Sequence, residues 1–191
     1  MKGMDTTYLA EAATPLFFPA IAVIGAAIHA RSRRSKHSTS PASAEIWFRW
    51  WALVALSGGS LWMTLSFLTI PGIMTEMIGF QNTPFVTEIA FANLGLAVMG
   101  FRAVHASYRE RITIALGTGM FLWGATLGHL YQWFAHDDTA PGNIGAVLIY
   151  DLALPALLIV FARQARKQAQ LPTATVPQEQ APIASAELGT R

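Results

Sequence analysis

The chain contains no cysteine, which excludes disulfides, thiolate metal sites, iron–sulfur clusters and cysteine nucleophiles. It is also poor in charge: Asp, Glu, Lys and Arg make up 13% of 191 residues, against roughly 25% in an ordinary soluble domain. A Gly-rich loop before a Lys is missing, as are a His-Glu-x-x-His pair and a Gly-x-Ser-x-Gly elbow, so phosphate-cradling, zincin and hydrolase readings lose their motifs. There is no Glu-x-x-His step either, since the residue three after Glu88 is Phe91, and with it goes the di-iron carboxylate bundle. What is abundant is apolar surface. Hydrophobic residues account for 53% of the chain, a membrane composition.

A helix of about 20 apolar residues crosses a hydrocarbon core of roughly 30 Å. On that measure the sequence predicts an all-α, polytopic transmembrane bundle with five spans near 12–30, 46–70, 85–104, 112–134 and 143–162. The first begins after Glu11 and carries Pro15 and Pro19, early enough to be tolerated near a helix start. Its charge follows rather than precedes the apolar stretch, which argues for a retained span and against a cleaved signal peptide.

The net charge of +2 and pI of 9.2 do not indicate a nucleic-acid partner, because the basic residues form short clusters beside apolar runs and no continuous stripe. They alternate instead. Segment 31–45 is basic, 71–83 has no Lys or Arg, 102–111 carries Arg102, Arg109 and Arg111, 135–142 has only Asp137 and Asp138, and the tail opens with Arg163, Arg166 and Lys167. By the positive-inside rule the N-terminus lies outside and the C-terminus in the cytoplasm. Residues 1–163 read as one transmembrane domain and 164–191 as a disordered tail, rich in Gln, Ala, Pro and Thr from Gln168 onward.

Smaller signals fill in this outline. Gly124 and Gly128, and the Ser57-Gly58-Gly59-Ser60 patch, read as surfaces for close helix approach. Asn82-Thr83-Pro84 and Pro141-Gly142-Asn143 read as helix starts, with Asn143 as a cap. Trp47, Trp50, Trp51 and Trp133 fall where an interfacial aromatic belt is expected. No sequence repeat is visible, and an odd number of spans does not divide into a matched inverted pair.

Three ionisable residues lie inside apolar spans: Glu88, His129 and Asp151. At 1.5 Å per residue they sit roughly 6, 7.5 and 12 Å below the outer boundary. An ionisable group at that depth is expensive and by default marks a site facing the bundle interior. Gln132 lies about 60° round the helix from His129 and Asn143 about 80° from Asp151, so both are candidates to line the same cavity. Two carboxylates and a neutral imidazole suit Zn²⁺, Mn²⁺ or Fe²⁺, with Gln132 or Asn143 orienting the ligands. The same residues suit proton relay or a small polar ligand. As a purely structural alternative, Glu88 complements a helix start while His129 and Asp151 pair as interhelical glue. His29 and His105, at one depth near the basic side, are more cheaply explained as interfacial residues than as haem ligands, and His136-Asp137-Asp138 as a solvated turn than as a metal loop.

The run Gly79-Phe80-Gln81, Pro84-Phe85-x-x-Glu88, Asn93-Leu94-Gly95, Gly128-His129-x-x-Gln132 and Pro141-Gly142-Asn143-x-Gly145 with Asp151 resembles a group of small, uncharacterised bacterial multi-span membrane proteins. The likeness implies a bacterial inner-membrane location and no particular activity. Two function classes follow. One is a membrane protein with an outer-leaflet cavity lined by Glu88, His129, Gln132, Asn143 and Asp151 that binds a divalent metal, relays protons or takes a small polar ligand. The other is a structural or assembly subunit, partnered by other membrane subunits or a second copy, in which these residues hold helices together.

Overall fold

A computed structural model describes residues 6–36 and 43–170. Every regular element among them is helical. They are α1 (Thr6–Ala13), α2 (Phe17–Lys36), α3 (Ser43–Trp50), α4 (Gly59–Thr69), α5 (Pro71–Ile78), α6 (Phe85–Ala103), α7 (Tyr108–His136), α8 (Pro141–Ile144) and α9 (Val147–Ala169). A 3₁₀ turn at Thr14–Leu16 joins α1 to α2, and a π-helical run, Trp51–Gly58, joins α3 to α4. Four of the resulting helices are long and apolar enough to cross a membrane: Thr6–Arg33, Ser43–Thr69, Phe85–Ala103 and Pro141–Ala169. This is a multi-pass membrane protein. The helix α7 has length to spare at 29 residues but is less apolar, diluted by Thr, Gly and His129.

Local chemistry explains most boundaries. Pro15 lacks an N–H to donate and interrupts the first helix at the 3₁₀ turn. Ser107 caps α7, accepting from the Glu110 backbone N–H at 3.4 Å, the Ser-x-x-Glu pattern of a capping box. The expected caps at the other two starts do not form: Pro84 is the N-cap of α6 without a side-chain bond, and Asn143 lies within α8 with its side chain directed elsewhere. The stretch between α4 and α6 is more than a loop, since Pro71 starts the short helix α5, which ends at Gly79 with φ of 85°. The end of α9 overrides the tail expectation: the helix continues to Ala169, and Gln168 accepts from the Ala44 backbone N–H at 3.2 Å. The rest of that expected tail, from 171 onward, lies outside the described residues.

Contacts between helices fix their directions. Tyr108 lies under Arg166, Trp123 donates to the Leu152 carbonyl, and His129 meets Asn143, so α7 runs antiparallel to α9 along its whole length. Trp47 packs on Phe161 and Tyr150 donates to the Ala55 carbonyl, making α3 antiparallel to α9 as well. Ser57 donates to Ala97 O and Thr64 to Ala90 O, which sets α6 antiparallel to the same long element. Hence α2, α6 and α9 point one way, and α3–α4 and α7 the other. All Lys and Arg among the described residues collect at one end, and Glu11, Glu76, Glu88, Asp137 and Asp138 at the opposite end.

The core between these helices contains Phe48, Trp51, Leu56, Leu96, Leu122, Leu154 and Leu158. Close approach is built at Gly100, where a Cβ would stand 2.7 Å from Ala52 O and 2.9 Å from Ser57 N, and at Gly25, whose space the Trp50 ring occupies. The Gly124/Gly128 step does not serve this purpose. Both residues face outward, with nothing within 4 Å of where a Cβ would stand. Trp51 likewise leaves the expected belt, because it is buried in the core, while Trp50 is part-buried and donates to His29 Nδ1 at 3.2 Å.

Candidate functional site on the seam of α7 and α9

The acidic end of the bundle is organised around Asn143, which is fully buried. Its Nδ2 donates to the carbonyl of Asp138 at 2.9 Å and to that of His129 at 3.4 Å. With both amide protons directed at carbonyls, Oδ1 is left to face His129 Nδ1 at 2.7 Å and accepts from it. In the neutral ring the proton therefore sits on Nδ1, and Nε2 carries the lone pair. Asn143 thus holds a half-buried imidazole in one orientation and one tautomer, ready to accept a proton at Nε2.

Asp138 completes this end. Its Oδ1 accepts from the Ala140 N–H at 3.0 Å, while Oδ2 is buried without a hydrogen-bond partner among the described residues. The carboxylate packs on Gly79, and a side chain at that position would overlap it. Tyr8 on α1 donates to the Thr139 carbonyl at 3.0 Å, closing the same turn from the N-terminal side.

Asp151 is deeper. It lies on α9 about 9 Å along the helix from the level of His129, by the antiparallel register and 1.5 Å per residue. Only 4% of its surface is exposed, and its carboxyl group makes no hydrogen bond among the described residues. Four residues on stands Pro155, inside the helix. A proline there has no N–H to give the carbonyl of residue 151, so the Asp151 backbone oxygen also loses its helical partner. Trp123 Nε1 reaches the neighbouring Leu152 carbonyl at 3.4 Å, a substitute bond beside the break.

The five residues singled out by depth are therefore not one cavity. Asn143 and His129 meet directly, and Asp151 belongs to the same seam farther in. Gln132 borders a shallow hollow of about 350 Å³ with Gly79, Phe80, Gln81 and Thr83, apart from the other four. Glu88 is exposed in the first turn of α6. Among the described residues no three His, Asp or Glu side chains form a group that could hold a metal ion, so the expected Glu88, His129 and Asp151 centre is not assembled. The physical reasons are azimuth and depth: α6 turns Glu88 outward, and Asp151 lies about 9 Å along the seam from His129. Sequence reasoning passed over Asp138, treated as a solvated turn, and Pro155, whose spacing of four from Asp151 was the available signal.

One family model matches residues 12–170, a stretch that covers every element of the seam. The chain belongs to the DUF6790 family, a family of unknown function. No curated protein and no solved structure shows significant similarity to it. The geometry of this DUF6790 member must therefore supply its own functional argument.

Proposed function

We propose that this chain is a five-span protein of a bacterial inner membrane that moves protons along the seam of α7 and α9, with His129 and Asp151 as the accepting groups. The observation that carries the reading is Asp151, buried in the most apolar of the spans and without a hydrogen-bond partner among the described residues. A carboxyl group kept there is expensive, and interhelical glue would have a partner to hold. His129 supports the same chemistry, since Asn143 fixes its tautomer and leaves Nε2 to exchange a proton with the acidic end. The crossing of α7 as a fifth span is supported by its antiparallel course against α9 from Tyr108 to His129. With the basic end in the cytoplasm, the N-terminus lies outside and His129 faces the periplasm.

The test is proton flux into liposomes holding the purified protein and an entrapped pH dye, with valinomycin and potassium compensating charge. An external acid pulse should acidify the lumen of wild-type vesicles, and Asp151→Asn and His129→Gln should slow this at least about 10-fold, as expected for loss of a proton-transfer group. Equal rates for wild-type protein and empty vesicles would overturn the proposal.

A further inference from the structure

Independently of the proton path, we infer that the contact between His29 and Trp50 is a pH-sensitive switch, holding α2 against the start of the π-helical run while His29 is neutral and releasing it on acidification. Trp50 is the residue immediately before that run, Trp51–Gly58. Its ring fills the notch left by Gly25 on α2, where a Cβ would overlap it. One turn farther along the same helix, His29 Nδ1 accepts from the Trp50 Nε1–H at 3.2 Å. At the other end of the run the Phe18 ring of α2 lies 3.2 Å from where a Cβ on Gly58 would stand. The first span therefore clasps the run twice, once through apolar contact and once through a hydrogen bond whose acceptor can be protonated.

The chemistry of the pair leaves one arrangement. An indole N–H donates and cannot accept, so Nδ1 must carry the lone pair of the neutral ring and Nε2 its proton. An imidazolium has protons on both nitrogens, and its Nδ1–H would meet the Trp50 N–H donor to donor. Protonation and this bond exclude each other, so the contact is present at higher pH and lost as pH falls. Imidazole is the side chain whose charge ordinarily changes between about pH 5 and 8. The surroundings do not re-pair the new charge. Arg31, Arg33, Arg34 and Lys36 follow along α2, α3 carries Arg49 next to Trp50, and neither the π-helical run nor the 3₁₀ turn contains a titratable residue. The acid on α3, Glu45, is already held by Arg49 and Arg111. What would be freed is a segment suited to movement, since π-helical turns are rare, usually short and frequent at functional sites. The same run presses Ala52 O and Ser57 N against Gly100, so loosening its start reaches the packing of α6.

Nitrogen-15 spectra of the full chain in lipid nanodiscs, labelled at the indole nitrogens, read the bond directly. The Trp50 signal, identified by its loss in Trp50→Phe, should show a hydrogen-bonded proton at about pH 8 and move upfield along a one-proton curve to a free position by about pH 5. His29→Asn puts an oxygen acceptor near the place of Nδ1 and takes up no proton, so its Trp50 signal should stay bonded throughout. Thermal melts read the release: wild type should lose more stability across this pH interval than His29→Asn does. A Trp50 signal that stays put in wild type, or moves equally in His29→Asn, would overturn the switch. So would a moving signal with the same loss of thermal stability in both proteins. Should His29→Asn not fold, His29→Gln takes its place with the same expectations. None of these readings involves proton flux, so the outcome stands whether or not Asp151→Asn conducts.

Discussion

Arg111 grips Glu45 with both arms of its guanidinium, Nη1 to Oε2 at 2.6 Å and Nη2 to Oε1 at 2.8 Å, joining the start of α7 to the start of α3. The same side chain donates to the carbonyls of Ala103 and Val104 at the end of α6 and lies over the Phe48 ring. One buried cation therefore ties three chain segments at the basic end. Arg111→Ala should destabilise the detergent-solubilised protein by about 3 kcal/mol, because two carbonyls lose their donor and the Glu45 carboxylate keeps only Arg49. Arg111→Lys should recover little of this, since an ammonium cannot reproduce the fork. Thermal unfolding checks both.

Asn143 should be equally intolerant of isosteric change. Asn143→Asp replaces the donating amide with an acceptor facing two carbonyls, and should cost about 1–3 kcal/mol of stability. It should also slow proton flux, because a carboxylate accepting from Nδ1–H holds an added proton on the His129 ring. A variant as stable and as active as wild type would show that the Asn143 network is not what positions His129.

Glycines separate by what they touch. Gly100→Ala should destabilise by roughly 1–3 kcal/mol, since its new methyl group meets the backbone at Ala52 and Ser57. Gly124→Ala and Gly128→Ala should be neutral or stabilise by up to about 1 kcal/mol each, gaining helix propensity in open space. Thermal melts of the three single variants suffice.

Glu88 offers a negative control for the seam. Glu88→Gln should leave flux unchanged, as the residue is exposed on α6 away from α7 and α9, and elemental analysis of chelator-free protein should find no stoichiometric Zn, Mn or Fe. A metal lost in both Glu88→Gln and Asp151→Asn would restore the centre that the fold does not assemble.

Pro155→Ala restores an N–H opposite the Asp151 carbonyl and should raise thermal stability while lowering flux, a trade of function for regularity. Higher stability with full flux would detach the helix break from the proton path.

Depth was legible in the sequence, and direction was not. Hydropathy located four helices long and apolar enough to cross a membrane, because about twenty apolar residues have few other homes. Spans 46–70 and 85–104 match to within three residues, while the first starts six residues earlier and the last ends seven later than expected. The alternation of charge agrees with the two ends of the bundle. Counting from a helix boundary placed His129 toward the acidic end of the bundle and Asp151 deeper on the same seam. Which way each faces depends on neighbours far away in sequence: Glu88 turns outward because α6 packs its other face on α4, as Thr64 bonding to Ala90 shows. The same holds for Asn143, whose role comes from a partner on α7 and not from the local cap signal. Arg111 and Glu45 looked like ordinary loop charges, for their pairing spans 66 residues.

The modest apolarity of α7 has a consequence for how the chain is made. The helix that covers its polar, buried face is α9, which emerges from the ribosome only after α7 is complete. On the five-span reading proposed above, α7 waits at the translocon during synthesis with Thr118, Thr126 and His129 uncovered, and its entry into lipid is expected to be secured by the arrival of its partner. A chain truncated after Asp137 should leave α7 extractable by alkali or open to protease, and one extended through Ala169 should not.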